Sequence, residues 1–169
     1  MSEQHDERLL EQRAERLRRA PAEREEDAFA TWVAEFSLGG ASWALPLEAL
    51  RAAVGIRAVS SVPLASAPII GIVRYQGRLL AAYSLAALLG VTQWAKDPSI
   101  ILIVEVGGRL VAIDCEEAPR ALPLPTRAID AAVARGDGGR REVLVDGRPP
   151  VTLLELELLL RRAGGAHGA

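Results

Sequence analysis

With 169 residues, half of them hydrophobic, and a formal net charge of −2, the chain can bury a sizeable core in one domain or two small fused halves, and it lacks the basic excess of a protein that grips a phosphate backbone. No apolar run reaches the roughly 18 residues that span a bilayer, and the charged N-terminus is no signal peptide, so direct membrane insertion is not expected. A single cysteine, Cys115, excludes an intrachain disulfide and points to the reducing cytoplasm.

Residues 1–28 form a charged N-terminal arm dense in Glu and Arg. Leu10, Ala14 and Leu17 recur at helical spacing, Glu15 and Arg19 can pair at i,i+4, and Pro21 ends the helix. Two readings stand: a helical or disordered arm that stays solvated, or a docking helix that orders on a partner. From 29 to 162 the pattern is mainly β. Trp32, Ala34, Phe36 and Leu38 alternate with Thr31, Glu35 and Ser37, which puts Trp32, Phe36 and Trp43 on core faces. Gly39-Gly40 turns the chain into Trp43–Leu45. Short helices are expected at 47–53, at 84–89 with Ser84 as N-cap and Gly90 past the end, and at 155–162. The stretch from Val59 to Pro68, with two prolines and little charge, reads as a rigid connector or an apolar ledge. Ile100–Val106 is apolar on both faces apart from Glu105, as in a central strand, and Gly107-Gly108 turns it into Leu110–Ile113. Further hairpins turn at Gln76-Gly77 and Asp146-Gly147, and 163–169 reads as a flexible tail.

These pieces repeat. Phe36–Gly40 corresponds to Val104–Gly108, Glu48 to Glu116, Gln76-Gly77-Arg78 to Asp146-Gly147-Arg148, and Leu88-Leu89 to Leu158-Leu159, in one order and at near-constant spacing. Two similar half-barrels follow, each with edges it cannot protect alone. Packed together, with strands shared, they hide those edges and leave a groove between them.

Chemistry is scarce. The only histidines, His5 and His167, lie in the tails, so neither a Ser-His-Asp site nor the usual zinc ligand set can be assembled in the core. Asp114-Cys115-Glu116-Glu117 is the densest polar cluster. Its residues read as the start of a short helix, where carboxylates favour the positive dipole end, with Cys115 a small hydrophobe. Gly136–Arg141 lacks the Gly-Lys-Ser/Thr of a phosphate loop and reads as a flexible loop. Few aromatics are available to stack on bases, so nucleic acid is not an expected partner. No cofactor and no catalytic residue is expected. Binding surfaces remain, and they suit protein–protein contacts.

The order Phe36-x-Leu38-Gly39, Ala44-Leu45-Pro46-Leu47-Glu48-Ala49-Leu50, Pro63, Gly71-Ile72-Val73, Gly77-Arg78 and Leu85…Leu89-Gly90 resembles the first half of a CheW-like domain. Val104-x-Val106-Gly107-Gly108, Ala112-Ile113, Leu122-Pro123-Leu124-Pro125 and Leu154…Leu159 resemble the second half. The resemblance covers about residues 30–161. It implies a mainly β fold, a pseudo-duplicated pair of intertwined five-stranded SH3-like barrels with short helices. It further implies a non-catalytic adaptor that couples the cytoplasmic tip of methyl-accepting chemoreceptors to the regulatory domain of a CheA-type histidine kinase, in cytoplasmic, membrane-proximal arrays. By position, the receptor-facing surface falls on Leu50, Gly71, Ile100 and Ala121. The kinase junction falls on the Gly71–Gly77 segment, including Arg74, Gln76 and Gly77. The family usually reads Asn-Leu-Arg-Gly where this chain has Arg74-Tyr75-Gln76-Gly77, and Asp where it has Ser84. Those departures open a second reading, a divergent CheW-like accessory scaffold or polar-organising protein of a chemosensory array.

Overall fold

Alternating apolar residues build the first hairpin: β1 (Ala30–Leu38) pairs antiparallel with β2 (Ala41–Pro46), Phe36 opposite Trp43. Gly39 and Gly40 close it at φ of +58° and +81°, the left-handed pair that a two-residue hairpin turn requires. The computed structural model describes residues 30–135 and 138–165. The charged arm and residues 166–169 of the tail therefore lie outside the described residues. Next come β3 (Leu50–Gly55), β4 (Val59–Ser60), β5 (Ile69–Tyr75), β6 (Arg78–Tyr83) and helix α1 (Leu85–Leu89). The second half contains β7 (Ile100–Val106), β8 (Arg109–Cys115), β9 (Arg120–Pro125), α2 (Thr126–Asp130), β10 (Val133–Arg135), β11 (Arg140–Val143), β12 (Val151–Leu154) and α3 (Leu156–Gly165).

Two curled sheets result, ordered β10-β11-β12-β2-β1-β9 and β4-β5-β6-β8-β7-β3. Replacing each strand by the one six places away converts one order into the other. The duplication is therefore real at the level of topology, and the halves are intertwined. Strand β3 of the first half completes the second sheet by pairing with β7, and β9 of the second half completes the first by pairing with β1. Each sheet carries a very short edge strand, β4 or β10, beyond five longer ones. The strand Ile100–Val106 is interior to its sheet, as its two-sided apolar character requires.

Three apolar clusters follow from this weave. Val33, Ala44, Leu124, Val143 and Val151 fill the hollow of the first sheet. Val73, Leu80, Ala82, Ile101, Ile103 and Ala112 fill that of the second. Between the sheets, Phe36, Leu38, Trp43 and Leu45 meet Leu102, Val104, Ile113 and Cys115, with α1 and α3 closing the ends through Leu85, Leu89, Leu156 and Leu159. Neither half can bury this shared face alone. Burying an aromatic or a branched aliphatic side chain contributes about 1.5–3 kcal/mol, so the shared cluster binds the halves into one cooperative unit.

Three expectations are corrected. No helix forms over 47–53: Leu47–Ala49 is a single 3-10 turn, and Leu50–Gly55 is strand β3. Local propensity for helix in this Leu/Ala-rich stretch loses to the open edge of β7, which pairs antiparallel with Leu50 and with Ala52–Gly55 around a bulge at Arg51. Trp32 is not in the core. It shares a face with buried Ala34, Phe36 and Leu38, yet it sits beside edge strand β9, opposite Pro123, where the cover has run out, and it is 52% exposed. Finally, no helix begins at Asp114–Glu117. Asp114 and Cys115 end β8, and the chain bends through Glu116 and Glu117.

Candidate functional site

The acidic cluster is consumed by the fold. Asp114, 4% exposed, accepts a 2.6 Å hydrogen bond from Leu85 N–H. It thereby satisfies a free donor of α1, whose N-cap Ser84 accepts from Ala87 N–H. Burial pushes the Asp114 carboxyl up to about 6, although hydrogen bonds from Leu85 and Ser84 oppose the shift. Glu116, also buried, accepts from Gly39 N–H at 2.9 Å and Ala95 N–H at 2.8 Å, pinning the β1–β2 turn and the segment before β7. The Cys115 thiol donates to Glu117 O, and burial pushes it up to about 11, far from the range of a reactive thiolate. Asp114 alone serves a helix N-terminus, and that helix, α1, belongs to the other half, whereas Glu116 holds a hairpin turn and a connecting segment. Among the described residues, no group of three or more His, Cys, Asp or Glu is placed to hold a metal ion.

The residues singled out from sequence do not form one patch. Arg74, Gln76 and Gly77 lie together at the exposed end of the β5–β6 hairpin. Gln76 and Gly77, at φ of +47° and +75°, make its turn, so a residue with Cβ is held in the left-handed region. Gly71 is buried in β5 at φ +154°, and a Cβ there would stand 2.4 Å from Ser60 O. Its role is the close approach of β4 to β5. Leu50 and Ile100 stand at opposite ends of the β3–β7 pair and are half-buried against the shared cluster. An aspartate at either position would therefore perturb the fold as well as any contact. Ala121 is exposed on β9, in the other sheet, opposite Ala34.

Several exposed apolar side chains were not anticipated. Trp32 lies on the same face of the sheet as Ala121 and Pro123. Leu64 is fully exposed at φ +64°, at the tip of a turn closed by Ala65 N–H to Val62 O and stiffened by Pro63. A leucine in a position that glycine prefers carries local strain of about 1 kcal/mol, and here it leaves an apolar side chain projecting from the Val59–Pro68 stretch. Leu79, 68% exposed, lies opposite Arg74 on the hairpin. Alternation alone could have flagged Leu79, since Leu80 and Ala82 point inward. Nothing in the pattern of β1 separates Trp32 from Phe36.

Two clefts flank the β7–β8 turn. One, of about 610 Å³, lies between α3 and the β6–β8 face, lined by Ala81, Tyr83, Arg109, Val111 and Leu160. The other, of about 500 Å³, lies between Pro46, Ala49 and α3. Both share Val106, Gly107, Glu157 and Arg161.

Comparison with known proteins agrees with this architecture. Residues 33–164 match the family model described as the CheW-like domain. The crystal structure of the scaffolding protein TtCheW from Thermoanaerobacter tengcongensis superposes with a TM-score of 0.66 at 18% identity, covering 77% of this chain and 92% of that one. No curated protein matches the sequence.

Proposed function

The chain belongs to the CheW-like domain family, and from that premise we propose that it is a non-catalytic adaptor that couples chemoreceptors to a CheA-type histidine kinase in cytoplasmic arrays. The observation that carries this reading is the family match running through both halves, in a fold whose buried carboxylates are already engaged by backbone donors. What is left for function is surface. The β5–β6 hairpin offers the kinase an exposed end, with Arg74, Gln76 and Gly77 at its tip and Leu79 beside Arg74. The receptor-facing side is assigned to Leu50, Gly71, Ile100 and Ala121, of which Ala121 is the exposed member, neighboured by Trp32. Contacts of this size are individually weak and gain strength through repetition in an array.

The test is binding of the purified chain to the regulatory domain of a CheA-type kinase and to a receptor cytoplasmic fragment, each alone and then together. The expected result is micromolar binding to each and a ternary complex. Binding to neither overturns the proposal. The altered Arg74-Tyr75-Gln76-Gly77 turn favours one rival, an accessory scaffold or polar-organising protein. That rival is recognised by receptor binding without kinase binding.

A further inference from the structure

Charge is spread unevenly between the two halves. From Ala49 to Lys96 the chain carries Arg51, Arg57, Arg74, Arg78 and Lys96 and not one carboxylate. Its repeat counterpart, from Glu117 to Gly165, interleaves acids such as Asp130, Glu142, Asp146 and Glu155 with its arginines. In a chain whose net charge is −2, this gathers positive potential on one half. Arg51 and Lys96 are neutralised by partners in the second half, Glu105 and Glu117. Arg57, Arg74 and Arg78 have no ion pair among the described residues, and neither has Arg109 of the adjoining β8.

The second sheet brings these four to one end. Arg74 pairs with Leu79 and Tyr75 with Arg78. The parallel pairing of Ala82 with Ala112, carried back along both strands, sets Arg109 beside Leu79. Arg57 comes just before Val59, which pairs with Val73 next to Arg74. Arg74, Leu79 and Arg109 share one face, whereas Arg78 shares the side of buried Leu80, toward the hollow of the sheet. The guanidiniums therefore surround a projecting hairpin end instead of lining a plane. Exposed Leu79 and half-buried Tyr75 lie among them.

Arginine forks match carboxylates two hydrogen bonds at a time. An apolar centre with an arginine rim has the makeup of a protein contact, and arginine clusters are a recurring device for taking acidic segments. A charged projection fits a concave protein surface better than a flat bilayer. From this we propose that the hairpin end is selective by charge. Arg57, Arg74, Arg78 and Arg109 receive a carboxylate-bearing surface of the kinase regulatory domain, which closes over Leu79. The inference rests on the adaptor reading and adds to it the chemistry of the partner surface. The arginines speed encounter and disfavour a kinase whose matching surface is neutral or basic. The equivalent hairpin of the second half is built otherwise, with Leu144 in place of Arg74 and Asp146 in place of Gln76.

The test follows binding of the full chain to the regulatory domain of the cognate CheA-type kinase by stopped flow. Between about 50 mM and about 500 mM sodium chloride, association should slow about tenfold while dissociation changes little. The charge-reversal pair Arg74→Glu and Arg109→Glu should slow association about tenfold at the lower salt and flatten its salt dependence. Both side chains are exposed and without ion pairs, so the variant should melt with the wild type. Arg148→Glu, in the second-half hairpin, should leave association within about twofold of wild type. An equal loss there would assign the effect to net charge and overturn the inference. Kinase binding that ignores both salt and charge reversal overturns it too, and leaves the adaptor reading standing. Absence of binding at every salt concentration overturns both. Vesicles of phosphatidylserine and phosphatidylcholine provide the last arm. Capture of the chain by them, abolished by the reversal pair while kinase binding is untouched, would make an anionic bilayer the occupant and overturn the inference.

Discussion

The β5–β6 and β11–β12 hairpins hold equivalent places in the two halves, yet their outer ends differ. In β5–β6 the ladder runs out to Tyr75 and Arg78, and Gln76-Gly77 closes a two-residue turn. In β11–β12 the ladder stops at Val143 and Val151. Pro149 and Pro150, having no N–H to donate, cannot extend it. Their outer faces differ as well. Arg74 and Leu79 in the first half correspond by the repeat spacing to Leu144 and Pro149 in the second. Duplication fixed the strand order, and the residues beyond the shared core were free to diverge. Equivalent positions therefore carry an exposed arginine and leucine across a full hairpin in one half and a plain connection in the other.

The harshest way to break the comparison is to show that the halves are separable. Phe36→Ala, in the shared cluster, is expected to lower stability by about 3–5 kcal/mol. Urea unfolding followed by circular dichroism and by tryptophan fluorescence should still give one coincident transition. Two transitions would mean that each half folds alone.

A sharper contrast comes from the repeat-related pair Glu48 and Glu116. Glu48 is exposed, whereas Glu116 is buried and holds two backbone donors. Glu116→Ala should cost about 2–3 kcal/mol, and Glu48→Ala should stay within about 0.5 kcal/mol of wild type. Similar losses at both sites would show that the halves use this carboxylate alike.

Asp114 has no counterpart in the first half, where the repeat spacing puts Pro46. Its carboxyl, pushed up to about 6 in the folded chain from an ordinary 3.8, keeps its proton between those values while the unfolded chain loses it. Stability supplied by this group therefore falls as pH rises from about 4 to about 6, by on the order of 3 kcal/mol, and is flat above. Asp114→Asn should remove that slope. Parallel pH profiles of wild type and variant would argue that the carboxylate is not desolvated.

The smallest change in stability, and the most direct reading of the two hairpins, comes from Leu79→Ser and Leu144→Ser. Both side chains are exposed, so each variant should melt within about 0.5 kcal/mol of wild type. Only Leu79→Ser is expected to reduce capture of the kinase regulatory domain, by several-fold. Equal loss in both would place the kinase contact on both halves.

Much of the fold was legible in the chain. Strand alternation, paired Gly-Gly turns, the Ser84…Gly90 helix with its caps and the spacing of the repeats all rest on local rules of sterics and hydrogen bonding, and these act within a few residues. What they left open was decided by partners distant in sequence. Leu47–Ala53 has helical propensity, and only the open edge of β7 makes part of it a strand. Asp114 and Glu116 look like a helix start, but the donors they serve, Leu85, Gly39 and Ala95, come from elsewhere in the chain. Trp32 and Phe36 have the same place in the alternation, and the end of the opposing cover alone leaves one in solvent. Sequence by itself determined that two similar β modules exist and where their shared turns fall. Tertiary structure decided which strands they exchange and which apolar residues stay outside, because burial depends on what lies across a face.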